Sequence, residues 1–144
     1  QGNDVAFITI GDPFLYSTFL YLHRIFREKY PDIPLEVVPG ISSINAAAVA
    51  AGIPLGMASE RIAVIPAAFE QENLRKTLDE FDTVVLMKMS RVFDGIYELL
   101  WDMGLERNAV YVSRVGAPDQ KVVFDLETLV GQKLDYLSLL IVKK

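Results

Sequence analysis

The chain has no cysteine and a single histidine, His23, among its 144 residues. Disulfides and thiolate metal centres are thereby excluded, and no cluster of imidazole ligands can be assembled. The lack of thiols fits a reducing compartment, and the expectation is a cytoplasmic protein. Positive charge is scarce as well: 14 Lys and Arg stand against 19 Asp and Glu, for a formal charge of −5. No Lys/Arg run is present, so a nucleic-acid partner is not expected, because phosphate neutralisation needs a basic face. No apolar run approaches the roughly 18 residues of a membrane span, and the first residues lack the pattern of a signal peptide. GxGxxG and GxxxxGK[ST] are both missing, which argues against a phosphate-binding loop. No Ser–His–Asp or Cys–His set can be built, and no paired carboxylates stand at a telling spacing.

What is present is an ordinary globular balance, 51% hydrophobic and 23% charged residues, enough for one domain or parts of two. Short apolar runs alternate with helical patterns. Val5–Ile10 is rich in β-branched residues and stops at Gly11, as a strand covered on both faces would. Leu15, Phe19, Leu22 and Phe26 recur at helical spacing, predicting a helix over 15–29, with Asp12 as N-cap and Pro13 at the first position. Leu35–Val38 reads as a strand and Ser42–Ala51 as a small-residue helix closed by Gly52. This strand–helix alternation predicts parallel crossovers. Further on, strands are expected at Ile62–Ile65, Thr83–Met87, Ala109–Val115, Lys121–Phe124 and Tyr136–Val142. Helices are expected at Gln71–Glu80 and Val92–Met103, with a helical turn near Leu126–Val130. Late strands without long helices between them predict antiparallel members and a mixed second sheet. The organisation expected is residues 1–57 as the end of a parallel α/β domain, and 58–144 as a second α/β domain. The chain opens Gln1-Gly2-Asn3-Asp4, without Met, and enters a buried type of strand at once, which reads as a piece whose N-terminal part is absent.

The two strand-to-helix joints of the first half draw attention. In open α/β sheets ligands lie at the carboxyl ends of strands. Gly11 permits close backbone approach, Asp12 offers a carboxylate, and PGISS at 39–43 offers two hydroxyls beside the free N–H groups of a helix start. Asp12 and Ser42 serve equally well as plain helix caps. Lys88 lies inside the apolar run TVVLMKMSR, where a lysine is unusual unless its head reaches water. His23 and Tyr21 read as flank and packing residues. Tyr16, near the start of its helix, could point a hydroxyl at a site.

VAFITIGDPFLYSTF, EVVPGISSINAAAVAAGIPL, RIAVIPA, DTVVLMKMSR and SRVGAPDQKVV, in that order, resemble consecutive blocks of the tetrapyrrole (corrin/porphyrin) methylases. YST after GDPFL, and LMKMSR, most resemble the precorrin-2 / cobalt-factor II C20-methyltransferases of cobalamin biosynthesis. The resemblance implies a two-domain α/β enzyme of the class III S-adenosylmethionine (SAM) methyltransferase type, with a ligand cleft between the domains. Its methyl donor is SAM and its substrate a tetrapyrrole. Carried over residue by residue, SAM contacts fall on Ile10, Gly11, Asp12, Leu15, Ser42 and Ser43, then Lys88, then Gly116 and Ala117. Substrate carboxylates would meet Arg91 and Arg114, with Arg61 and Lys88 as further candidates, and Tyr16 beside them. No metal ligand is implied, no catalytic residue is assigned, and the family suggests a homodimer. The family's first strand and Gly-Pro-rich loop have no counterpart here. Diphthine synthase, uroporphyrinogen-III methylase and a non-catalytic α/β binding module are the competing readings.

Overall fold

TVVLM at 83–87 can sit only where both faces of a sheet are covered, and that is its position. A computed structural model describes residues 4–67 and 73–144. It divides into two compact units, Gln1–Ser43 and Ile44–Lys144.

In the second unit five strands form one sheet: β1 (Ile62–Pro66), β2 (Thr83–Met87), β3 (Ala109–Ser113), β4 (Lys121–Val123) and β5 (Ser138–Lys143), in the order β1-β2-β5-β3-β4. β1 and β2 are parallel, whereas β5 runs antiparallel to both β2 and β3, and β4 antiparallel to β3. The expected mixed sheet is therefore present. Side chains alternate between its faces. Val84, Leu86, Ala109, Tyr111, Leu140 and Val142 pack beneath Leu74 and Leu78 of α3 (Leu74–Glu80) and Phe93, Ile96 and Leu100 of α4 (Phe93–Asp102). Val85, Val110, Val112, Leu139 and Ile141 pack against Ile44, Ala47 and Ala48 of α2 (Ser43–Ala51). Alanines at that contact let the helix lie close to the sheet. α2 and α4 each end at a glycine. Gly52 and Gly104 take φ of 68° and 66°, and the next residue's N–H reaches back to Ala48 O and Leu100 O respectively; this returns otherwise orphaned carbonyls to hydrogen bonding. The expected helical turn near 126–130 is a 3₁₀ turn, Leu126–Leu129. Part of the expected helix Gln71–Glu80, residues 71 and 72, lies outside the described residues.

The first unit departs from expectation. Among the described residues its one complete helix is α1 (Phe19–Lys29), with Arg27 and Lys29 in the last turn, favourable for the dipole. The helix starts four residues later than predicted, because residues 12–17 form turns. Ser17, not Asp12, accepts the Phe19 N–H, at 3.1 Å. Neither Val5–Ile10 nor Leu35–Val38 is a strand. A strand exists only with a ladder partner, and among the described residues none pairs with either segment, so the predicted parallel crossovers in this half are not formed. Val5 and Ile8 are 93% and 92% exposed. The stretch is tethered by Thr9 Oγ1 to Ser17 Oγ at 2.9 Å, and by Phe7, whose ring lies 5.7 Å from Phe19. His23, expected as a flank residue, packs edge-on to Phe14 at 5.1 Å.

Candidate functional site

Gly11 and Asp12 lie in a turn 28 residues upstream of PGISS, yet the first unit folds the two stretches onto each other. Asp12 makes the junction. Its Oδ1 accepts the N–H of Phe14 at 2.8 Å, closing a local turn, and its Oδ2 accepts the N–H of Gly40 at 3.1 Å. Gly11 adopts φ 79°, a left-handed conformation that favours glycine. Its α-carbon faces the second stretch: a β-carbon there would lie 3.7 Å from Ile41 O, 3.8 Å from Ser43 N and 3.9 Å from the α-carbon of Ser42. Four of the expected site residues, Gly11, Asp12, Ser42 and Ser43, are thus brought together. Ser42 is buried, and Ser43 opens α2, whose first N–H groups have no partner within the helix. Ile10 and Leu15 flank the junction with exposed side chains. Tyr16 is half-exposed with φ 54°, a conformation rare for an aromatic residue. Asp12 is not a helix cap. It accepts from two loops at once, a role that the GDP triplet alone does not reveal.

In the second unit, Lys88 is the first residue beyond β2, and Arg114 the first beyond β3. The Arg114 guanidinium is engaged within the chain, with Nε 2.5 Å from Asp119 Oδ2 and a nitrogen 3.7 Å from Asp135 Oδ2. The hydrogen bond from Arg114 holds the Asp119 carboxyl below its ordinary range, and raises the guanidinium's own value in turn. This pairing braces the turn that carries Gly116 and Ala117, where the Gly116 N–H also donates to Gln120 Oε1 at 2.8 Å. Arg61, at the opposite edge of the sheet, is committed to Glu80.

Arg91 lines an open cavity of about 360 Å³ at the start of α4, together with Ser90, Asp94 and Lys133. The Gly131 N–H donates to Asp94 Oδ1 at 3.1 Å and joins the two walls. Lys133 carries no motif, and only the fold brings it opposite Arg91. No group of three or more potential metal-ligating carboxylates or imidazoles occurs among the described residues, and no described helix is long and apolar enough to cross a membrane.

Residues 1–130 match the family model for Tetrapyrrole (Corrin/Porphyrin) Methylases. The chain belongs to that family. It is 36% identical over 150 residues to the probable cobalt-precorrin-2 C(20)-methyltransferase of Methanocaldococcus jannaschii, covering all of this chain and 60% of that protein. It is 33% identical over 145 residues to the cobalt-precorrin-2 C(20)-methyltransferase of Salmonella typhimurium, covering 99% of this chain and again 60% of the relative. A uroporphyrin-III C-methyltransferase from Thermus thermophilus, solved with S-adenyl homocysteine, superposes with a TM-score of 0.65 at 20% identity over 93% of this chain and 63% of that one. That likeness shows a shared α/β fold. The chain spans about three fifths of the length of the curated relatives it matches.

Proposed function

We propose that this tetrapyrrole methylase chain belongs to a SAM-dependent C-methyltransferase that methylates C20 of precorrin-2 or cobalt-factor II in cobalamin biosynthesis. The observation that carries this reading is the junction of Gly11 and Asp12 with Gly40–Ser43. It matches the family's blocks and has the chemistry of a site for a cationic donor: a carboxylate, backbone groups approachable at a glycine, and a helix start. An anion would be repelled by Asp12, whereas a sulfonium or amine is not. The residues therefore fit the donor. When bound, SAM supplies an already activated methyl group, and the electron-rich macrocycle carbon is the nucleophile.

The protein's task is then positional. Holding two reactants in line can lower a barrier by about 7–11 kcal/mol, without a triad or a metal. Ile10, Gly11, Asp12, Leu15, Ser42 and Ser43 hold the donor in this reading. Lys88, Gly116 and Ala117, which belong to the second unit, are proposed as its further contacts. Arg91, with Tyr16, meets the substrate, whose carboxylates need cations on an acidic protein. Arg114 contributes mainly by bracing the Gly116–Ala117 turn, because Asp119 and Asp135 already occupy it. Residues 1–57 are the end of the donor-binding domain and 58–144 the second domain. A homodimer in the cytoplasm completes the proposal.

The test is a titration of the intact natural polypeptide with SAM, repeated for Asp12→Ala and Gly11→Val. Affinity should fall in both variants, and unchanged affinity in both removes the first joint from the site. Incubation with labelled SAM and precorrin-2, cobalt-factor II, uroporphyrinogen III or the diphthine-synthase acceptor then decides the substrate; label in either of the last two overturns the C20 assignment.

A further inference from the structure

Gly11 and Gly40 are glycines for different reasons. Gly11 has a left-handed φ of 79°, yet a β-carbon on it would find only ordinary contacts, the nearest at 3.7 Å. At Gly40 the situation is reversed. Its φ lies outside the left-handed region that favours glycine. A β-carbon there would instead overlap the carbonyl oxygen of Gly11, lie 3.0 Å from its carbonyl carbon and 3.5 Å from the α-carbon of Asp12. All three are backbone atoms, which cannot swing aside as a side-chain tip can. The nearest obstacles to a β-carbon at 40 all belong to the other joint. The Gly40 N–H is also the group that donates to Asp12 Oδ2.

We propose that Gly40 is a positioning residue of the donor site. Having no side chain, it lets PGISS rest on the Gly11 peptide, and Asp12 latches the two stretches in that position. This rests on the SAM reading above and deepens it. Asp12 then acts through Gly40 as well as by its charge: both of its oxygens accept backbone N–H groups, and this sets where Gly11, Ser42 and Ser43 stand relative to one another. Any residue larger than glycine at 40 must push the stretches apart by about an ångström. A misplacement of that size costs roughly a hundredfold in a reaction that depends on alignment. Among the described residues of the first unit the same space argument singles out no other glycine, since Gly11 has ordinary contacts only.

The experiment uses the intact natural polypeptide and S-adenosylhomocysteine as the probe, with calorimetric affinity and amide exchange at Gly40 as readouts. Gly40→Ala should weaken binding at least tenfold and raise the KM for SAM, leaving the KM for the tetrapyrrole near wild type. Gly104→Ala is the control: its left-handed φ of 66° makes it costly for stability, but it stands at the end of α4, so the affinity should not change. Asp12→Asn keeps both glycines and replaces one acceptor oxygen by an amide NH2 group, which can only donate. It should speed exchange at Gly40 and weaken binding. If the wild type does not bind the probe, the SAM reading fails and this inference with it. If the wild type binds and folded Gly40→Ala binds equally well, the inference alone is overturned. Should Gly40→Ala fail to fold, Asp12→Asn decides, and wild-type affinity with unchanged exchange overturns the latch.

Discussion

Lys88 and Arg114 occupy equivalent places in the second unit: each is the first residue past its strand, and each has a left-handed backbone, with φ of 54° and 50°. Met87 and Val112 both pair with Leu139 of β5. β2 and β3 therefore point the same way and end at the same edge of the sheet. Two cations in a conformation that disfavours most side chains mark that edge as shaped rather than merely terminated.

Replacing Lys88 by Asn and by Val separates backbone from charge, since both variants lose the ammonium. Asn tolerates the left-handed region and a β-branched residue does not. The Asn variant should be more stable than the Val variant by about 1–2 kcal/mol, read from urea unfolding midpoints. Equal midpoints would show that the strand end relaxes.

Arg91→Gln removes a cation from the cavity at the start of α4. In the proposed reading it raises the KM for the tetrapyrrole roughly tenfold, the loss expected for one charge-assisted hydrogen bond of about 1.5 kcal/mol. SAM affinity should stay unchanged. An unchanged KM for the tetrapyrrole removes Arg91 from the substrate contacts.

Stability should decline on acidification for a traceable reason. The hydrogen bond from Lys143, then that from the Met57 N–H, lowers the Glu60 carboxyl from its ordinary 4.5. The Arg61 N–H lowers Asp82, and the Arg114 side chain lowers Asp119, each from 3.8. A carboxyl whose folded value lies below its unfolded one stabilises the fold above the unfolded value, and loses that contribution as pH falls through the folded one. Melting temperature should thus hold above those ordinary values and drop below them. Glu60→Gln should flatten the drop, and an identical acid profile would show that the Lys143 pair contributes nothing.

Thr83 begins β2 fully buried, and its hydroxyl has no hydrogen-bond partner among the described residues. Thr83→Val keeps the shape and removes the unsatisfied group. The change should be stabilising by about 1 kcal/mol, measured by thermal unfolding, and a destabilised variant would reveal a partner for the hydroxyl.

The second unit was legible in the chain, and the first only in part. Runs such as TVVLM at 83–87, and glycines such as Gly52 and Gly104, report their own environments, because continuous burial and a left-handed φ are local demands on residue type. Val5–Ile10 carries an equally clear apolar signal and is no strand, since pairing is a property of a neighbour and not of the segment. In the same way, GDP and PGISS announce two tight turns, but not that one aspartate bridges them or that Gly40 must lack a β-carbon to let them touch. Local backbone preference is encoded residue by residue. Close approach between stretches 28 residues apart is encoded only by the space that the folded chain leaves.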